Sequence, residues 1–165
     1  MKIKMILPVP LPPEALAAFE AQVPASLQRS DLQIDFCAAK NGGKILDSYY
    51  EMTLADAFVL EAGLSAELEG YDAVCINSMS DSGLSALRSR LTIPVVGPGQ
   101  ACFLTAAMLG HKFSVVTMWD RWKPLYRKVA LELEMQSRLA SIESIDTRPD
   151  AEELLAGKEE VVFEK

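Results

Sequence analysis

The chain has 165 residues, and its 16 lysines and arginines against 23 aspartates and glutamates give a net charge of −7. At 50% hydrophobic and 24% charged residues, the composition is typical of one globular protein with a sizeable core. An acidic chain without a basic run lacks the positive surface that binds phosphates, so we expect no nucleic-acid partner. The apolar runs are much shorter than the roughly 20 residues that span a bilayer. We therefore expect no signal peptide, no membrane span and no membrane partner.

The cysteine and histidine content disfavours a disulfide framework and a metal site. Cys37, Cys75 and Cys102 are odd in number and lack C-x-x-C spacing, which favours reduced thiols in a cytoplasmic protein. A structural zinc site needs about four Cys or His ligands in close pairs, and His111 is the one histidine. We predict no metal, and the isolation of His111 also disfavours a Ser-His-Asp triad.

In the first half of the chain, strand-like runs alternate with helical patterns. Residues 2–7 predict a strand, and apolar residues at helical spacing predict a helix over 12–23. Residues 32–36 alternate with period two and predict a second strand. A loop that opens at 41–43 is predicted to run to Thr53, which would cap a helix from Leu54 to about Leu68. The apolar run at 72–76 is typical of a parallel strand that is covered on both faces, and there we expect Cys75 to be a buried structural thiol.

The second half continues the alternation. Residues 94–96 and 113–116 predict strands, with a helix from Gln100 to Leu109 between them. Asp120 is predicted to cap the next helix. That helix has an apolar stripe, interpreted as a core face, formed by Trp122, Leu125, Tyr126, Val129 and Leu133. A weaker strand is predicted over 140–145 and a final helix over 157–165.

This order predicts an α/β fold with a doubly wound parallel sheet, in which ligands bind beyond the carboxyl ends of the strands. Four segments follow strands and are candidate site loops: Pro8-Val9-Pro10, the loop after Phe36, Asn77 to Asp81, and Thr117-Met118-Trp119. The glycine pair in Gly97-Pro98-Gly99 does not continue as a full G-x-G-x-x-G motif. We therefore predict no nucleotide cofactor.

Residues 72–84, Asp-Ala-Val-Cys-Ile-Asn-Ser-Met-Ser-Asp-Ser-Gly-Leu, resemble the first active-site strand and loop of hydantoin racemases, in the aspartate/glutamate racemase superfamily. The resemblance continues through residues 94–97, the helix that begins near Gln100, and residues 110–117. A looser match covers Gly42-Gly43, Asp47 and Tyr50. Family members usually have a cysteine where Ser78 stands.

The resemblance implies proton transfer, without a cofactor, at a carbon next to a carbonyl of a small hydantoin, amino acid or carboxylate. In members of that family, two opposed cysteines perform this proton transfer, because the pKa of a thiol can be tuned so that it exchanges protons near neutral pH. Ser78 would occupy the first acid/base position. Six further residues are expected to bind the substrate: Pro8, Tyr50, Met79, Ser80, Thr117 and Met118.

Three features depart from the family pattern. The Ser78 hydroxyl is too weakly acidic to replace a thiolate without a strong adjacent base. Residues 7–10, Leu-Pro-Val-Pro, replace the polar Asn-Pro-Asn-Thr of the family's first strand end. The sequence ends before the position of the second cysteine, so we expect two pseudo-symmetric halves, 1–97 and 98–165, of which the second is incomplete. We expect this segment alone not to racemise a substrate, and an incomplete half leaves apolar surface that favours a homo-oligomer.

Several functions therefore remain open. The first is a racemase-like or isomerase-like protein. A one-base decarboxylase related to arylmalonate decarboxylase is an enzymatic variant, and a non-catalytic small-molecule binding protein that keeps the pocket is an alternative from another class. Alternation of strands and helices alone is also compatible with an unrelated flavodoxin-like domain.

The same reasoning predicts the shape of the site. Ser78, Met79 and Ser80 should form one wall of a pocket, with Thr117 and Met118 opposite, around a carboxylate or similar anion. Tyr50 would close one side. The alternative is that the Ser78 and Thr117 hydroxyls only satisfy nearby backbone groups.

Overall fold

The computed structural model describes residues 1–149 and divides into two compact units. The first unit is Met1–Pro98, and the second begins at Gly99. The helix predicted over 157–165 lies outside the described residues.

The first unit contains a four-stranded parallel sheet in the order β2-β1-β3-β4. The strands are β1 (Lys2–Leu7), β2 (Gln33–Ala38), β3 (Ala73–Ile76) and β4 (Val95–Val96). In register, Ile6 of β1 lies opposite Cys37 of β2 and Ile76 of β3. The predicted α/β fold with a parallel sheet is confirmed.

Helices cover both faces of this sheet. Helices α2 (Tyr49–Gly63) and α3 (Leu84–Arg88) form the main core with one face. That core consists of Ile6, Val59, Ala66, Val74, Ile76, Leu84, Leu87 and Val95. On the opposite face lies α1 (Pro13–Ala21), where Phe19 lines a cavity of about 230 Å³ with Met5 and Phe36. Successive strand residues point to opposite faces, which is why Met5 and Ile6 belong to different layers.

The start of α2 differs from the prediction. The helix begins at Tyr49 rather than Leu54, and its N-cap is Ser48, whose Oγ accepts the Glu51 N–H at 3.3 Å. Thr53 lies inside the helix and its hydroxyl donates to the Tyr49 carbonyl at 2.8 Å. The reason is that the Ser48 side chain satisfies a free backbone donor at the helix start, as an N-cap does.

The second unit contains α4 (Pro98–Leu109) apart from its first residue, and then β5 (Phe113–Thr117), α5 (Lys123–Glu132) and β6 (Leu139–Ser144). Strands β5 and β6 pair in parallel. Phe103 of α4 contacts Phe113 edge to face, with ring centroids 4.9 Å apart. The predicted core face of α5 is confirmed for Leu125, Tyr126 and Val129, which are buried.

Asp120 does not cap α5 as predicted. It begins a short 3₁₀ turn, Asp120–Trp122, and its carboxylate pairs with Lys123 Nζ at 2.8 Å. Because this turn separates Asp120 from the start of α5, the Asp120 carboxylate forms the ion pair and does not cap the helix. Across residues 1–149, none of the helices is long and apolar enough to cross a membrane.

Candidate active site

Loops that follow neighbouring strands of the first unit meet at the carboxyl edge of its sheet. The Asn77 N–H donates to the Ile6 carbonyl at 2.7 Å, and the Ala39 N–H donates to the Leu7 carbonyl at 2.9 Å. Gly42 has a φ of +141°, and a Cβ there would lie 3.4 Å from the Pro8 carbonyl oxygen. Glycine therefore allows the loop after β2 to approach Pro8, which is itself buried.

The Ser78 loop is held by consecutive turns. The Asp81 N–H donates to the Ser78 carbonyl at 3.0 Å, and the Leu84 N–H donates to the Asp81 carbonyl at 3.1 Å. Asp81 and Gly83 have φ values of 51° and 68°, in the left-handed region. Asp56 of α2 fixes the end of the loop, because its Oδ1 accepts the Gly83 N–H at 2.8 Å.

Three serine hydroxyls of this loop form a hydrogen-bonded series that leads from a half-buried position to buried ones. Ser78 Oγ lies 2.6 Å from Ser80 Oγ, which lies 2.7 Å from Ser82 Oγ. The Ser80 N–H also donates to Ser78 Oγ at 3.3 Å. Ser78 and its neighbour Met79 are half-buried, whereas Ser80 and Ser82 are only 2% and 1% exposed. Ser80, expected to bind substrate, therefore has its side chain buried against Ser78.

Asp81 is buried and packs against the backbone after β4. A Cβ at Gly97 would overlap the carboxylate of Asp81, with Cγ only 2.6 Å away, and would also lie 2.8 Å from Leu84 Cδ2. The absence of a side chain at Gly97 allows this contact.

The loop before α2 is anchored by Glu51. Its carboxylate accepts the backbone N–H groups of Lys44 and Ile45, at 3.2 and 3.1 Å. Tyr50 lies in the first turn of α2 and is 72% exposed. Its predicted closure of one side of the pocket stays a prediction.

Burial affects both cysteines of the sheet in the first unit. Cys75 is half-buried, not fully buried as expected, because alternation along β3 directs Val74 and Ile76 into the main core and Cys75 to the other face. Burial raises the pKa of the Cys75 thiol. Burial also raises the pKa of Cys37, an effect that the charge of Lys4 partly opposes.

The predicted residues of the second unit have partners within that unit. Thr117 is 6% exposed and its hydroxyl donates to Tyr126 Oη at 3.3 Å. The Met118 carbonyl accepts the Thr147 N–H at 2.7 Å and the Ser144 hydroxyl at 3.3 Å. Their expected position opposite Ser78 stays a prediction.

Sequence reasoning misses other residues of the site. Ser82 is recognisable from the Ser78-x-Ser80-x-Ser82 spacing, and Glu51 from its Ser-x-x-Glu spacing with Ser48. Asp56 lies 27 residues before its partner Gly83, and no local pattern indicates this contact. Within residues 1–149, no group of three His, Cys, Asp or Glu side chains is placed to hold a metal ion.

The sheet and its edge loops define an α/β protein with a candidate site beyond the carboxyl ends of parallel strands. The family model described as Asp/Glu/Hydantoin racemase matches residues 14–165. The chain therefore belongs to the Asp/Glu/hydantoin racemase family.

Particular relatives agree with this assignment. Hydantoin racemase of Pseudomonas sp. (strain NS671) is 37% identical over 117 residues, which are 71% of this chain and 47% of that protein. The chain thus spans about half the length of this curated relative. Allantoin racemase from Klebsiella pneumoniae has the same fold, with a TM-score of 0.80 at 22% identity over 99% of this chain and 68% of that one. A variant of arylmalonate decarboxylase is more distant, with a TM-score of 0.59 at 16% identity over 90% of this chain and 64% of that one.

Proposed function

We propose that the protein is a racemase-like or isomerase-like protein that acts on a small hydantoin, amino acid or carboxylate. Its reaction is proton transfer, without a cofactor, at a carbon next to a carbonyl. The observation that supports this most strongly is the position of Ser78 in a chain of this family. The residue is half-buried, directly follows β3, and lies on a loop that Asp56 holds in place.

The substrate class follows from the relatives and from acid-base chemistry. The named relatives are racemases of hydantoin and allantoin. A proton on a carbon next to a carbonyl is acidified because the negative charge left behind spreads onto the oxygen. Hydrogen-bond donors near that oxygen stabilise the charge as it develops. Ser78 occupies the place of the first acid/base group in this proposal, with Pro8, Tyr50 and Met79 as substrate-binding residues of the first unit. Thr117 and Met118 are the substrate-binding residues proposed for the second unit.

A second candidate is a binding protein without racemase activity, or a decarboxylase with a single base. The observation that favours it is the partner of the Ser78 hydroxyl. That hydroxyl is hydrogen-bonded to another serine, Ser80, which is not a base able to remove its proton. A serine held in this way suits hydrogen bonding to a ligand better than removal of a carbon-bound proton.

The proposal extends to the protein's setting. We propose a cytoplasmic homo-oligomer without a nucleic-acid partner. Large exposed apolar side chains support self-association. In the second unit, Met108, Leu109 and Val116 are 86%, 85% and 74% exposed.

The test uses single enantiomers of 5-substituted hydantoins with the full-length protein. Calorimetry measures binding, and chiral chromatography measures loss of optical purity against a protein-free control. Racemisation above the control, lowered in Ser78→Ala, supports the first candidate. Binding without racemisation supports the second candidate. Neither binding nor racemisation with hydantoins, amino acids or arylmalonates would contradict both.

A further inference from the structure

Strand β2 forms one edge of the sheet in the first unit, and among the strands of residues 1–149 it pairs only with β1. The Gln33 N–H donates to the Met1 carbonyl at 2.9 Å, on the side of β1. Alternate residues of a strand direct their backbone groups to opposite sides, so those of Ile34, Phe36 and Ala38 point away from β1. This outer edge is able to pair with a further strand.

The β2 edge lacks the features that usually protect a sheet edge, which are proline, a bulge or a free charge. Its sequence contains no proline, and its register with β1 is continuous over Gln33–Ala38. Its one charged residue, Asp35, accepts the Tyr71 hydroxyl at 3.0 Å and pairs with Lys2 Nζ at 3.3 Å. The strand at the other edge, β4, has only two residues. Of the two edges, β2 is the one that can support an extended pairing.

Apolar surface lies beside this edge. The side chains of Ile34 and Phe36 line two cavities of about 410 and 230 Å³, and both cavities are also lined by Val23 and Leu27. Ile34 and Phe36 are half-buried, and Leu27 is 45% exposed. A strand added at β2 would satisfy the outer backbone groups and cover part of this apolar surface.

A second copy of β2 in antiparallel orientation fits the edge. The three outward-facing residues are centred on Phe36, so a two-fold axis there places Phe36 opposite Phe36 of the second copy. Ile34 then lies opposite Ala38 of the second copy. Asp35 lies opposite Cys37 of the second copy, and no like charges face each other directly.

Charges just beyond the ends of β2 are complementary in this arrangement. Asp31 precedes the strand and Lys40 follows it, and their side chains are 65% and 77% exposed. A two-fold axis at Phe36 places Asp31 within one residue of Lys40 of the second copy. Each dimer would therefore gain two attractive pairs, which add to the pairs that Asp31 forms with Arg29 and Lys40 with Glu61 inside one copy.

We infer that the outer edge of β2 is the surface through which two copies of this chain associate, as an antiparallel pair of β2 strands with its two-fold axis at Phe36. The pairing joins the two four-stranded sheets into one continuous sheet. The inference rests on the self-association in the proposed function and names the surface for it. It does not depend on the reaction at Ser78.

The test uses the full-length protein with its native cysteines replaced by alanine, including Cys37, Cys75 and Cys102. Opposite residues of a hydrogen-bonded antiparallel pair have Cα atoms about 5.5 Å apart, which is within the range of a disulfide. Phe36→Cys should therefore form a disulfide-linked dimer on mild oxidation, measured by non-reducing electrophoresis. Ile34→Cys is the matched control, because it would lie about 14 Å from its own counterpart and should not cross-link alone. A mixture of Ile34→Cys and Ala38→Cys chains should cross-link.

A second measurement needs no cysteine and applies if Phe36→Cys does not fold. Sedimentation equilibrium gives the dissociation constant of the dimer. Lys40→Glu should raise this constant about 3- to 30-fold, because each dimer loses two ion pairs. Adding Asp31→Lys should restore most of the affinity, since the charges are then exchanged and remain complementary.

The outcomes separate this inference from the proposed function. A wild-type oligomer whose Phe36→Cys form does not cross-link would show that another segment or partner covers β2, so this surface is wrong although self-association stands. A wild type that stays monomeric at every concentration would contradict both. Cross-linking through Phe36→Cys in a protein that does not racemise hydantoins would contradict the proposed reaction and leave this inference standing.

Discussion

The carboxylate of Asp56 on α2 accepts a hydrogen bond of 2.8 Å from the backbone N–H of Gly83, at the end of the loop that begins with Ser78. A Cβ at Gly83 would lie 3.0 Å from the Asp56 carbonyl oxygen, so the two segments are in close contact. The contact joins a core helix to the candidate site loop. The position of Ser78 thus depends on a residue far from it in sequence.

Replacing Asp56 should loosen this loop. In Asp56→Ala the Gly83 N–H loses its acceptor, which should lower the free energy of unfolding by about 1–2 kcal/mol. Amide hydrogen exchange at Gly83 and Leu84 should become faster. Glu61→Ala, at an exposed position on the same helix, is the control. Unchanged exchange at Gly83 in Asp56→Ala would show that the hydrogen bond does not hold the loop.

Gly97 should tolerate no side chain. In Gly97→Ala the added methyl would overlap the buried Asp81 carboxylate and lie 2.8 Å from Leu84 Cδ2. We expect a loss of about 1–3 kcal/mol, typical of overpacking, measured by urea unfolding. Gly110→Ala is the matched control, because its new Cβ would lie at an ordinary 3.4 Å from the Lys112 carbonyl oxygen. Equal stability of the two variants would contradict the close packing at Gly97.

The ion pair between Lys4 and Glu69 should make stability depend on pH. Lys4 Nζ lies 2.7 Å from Glu69 Oε2, and this hydrogen bond, followed by one from Ser65, lowers the pKa of Glu69. A carboxyl group whose pKa is lower in the folded chain than in the unfolded chain stabilises the fold at pH values above its ordinary pKa. That contribution disappears as the pH falls through the lowered value.

Glu69→Gln tests this dependence. Because the Glu69 side chain is 42% exposed, solvent screens the pair, and we expect a loss of about 1 kcal/mol at pH 7. The difference from wild type should shrink as the pH falls through the lowered pKa of Glu69, because the carboxylate of the wild type is then protonated. Glu61→Gln removes the exposed partner of Lys40 and should have a smaller effect. A Glu69→Gln difference that grows on acidification would contradict a lowered Glu69 pKa in the folded chain.

Thiol reactivity tests whether Cys75 could replace the cysteine that the family usually has at the position of Ser78. Burial raises the pKa of Cys75, whereas Cys102 is exposed. Since the thiolate is the reactive form, Cys75 should react with a disulfide reagent at neutral pH at least tenfold more slowly than Cys102. Mass spectrometry of the labelled peptides measures both rates, with Cys102→Ser as control. Labelling of Cys75 as fast as Cys102 would make it a candidate acid/base group.

Much of the fold is predictable from local patterns. Strand β1 follows from its apolar run, and the parallel sheet follows from the alternation of strands with helices. The predicted start of α2 is too late because Thr53 is a suitable cap by residue type, although the Ser48 and Glu51 pair gives the stronger signal. Helix α3 escapes prediction because Leu84–Arg88 is too short to show a helical period.

The candidate site is predictable only in part. Loops after strands follow from the fold class, and this rule locates Ser78, Met79 and Pro8 at a sheet edge. The buried position of Ser80 depends on three-dimensional packing, and so does the hydrogen bond from Thr117 to Tyr126 Oη. Such partners depend on how neighbouring segments pack, which the spacing of residues along the chain does not specify.

The most direct test of the central claim is Ser78→Cys in the full-length protein. If Ser78 occupies the first acid/base position, a thiol there should exchange the substrate's carbon-bound proton with solvent, because a thiol ionises much closer to neutral pH than a hydroxyl. Deuterium incorporation into 5-substituted hydantoins in deuterium oxide, measured by mass spectrometry, should exceed that of wild type and of Ser85→Cys, a matched exposed position. Binding of the hydantoin without any exchange above the Ser85→Cys control would contradict the claim.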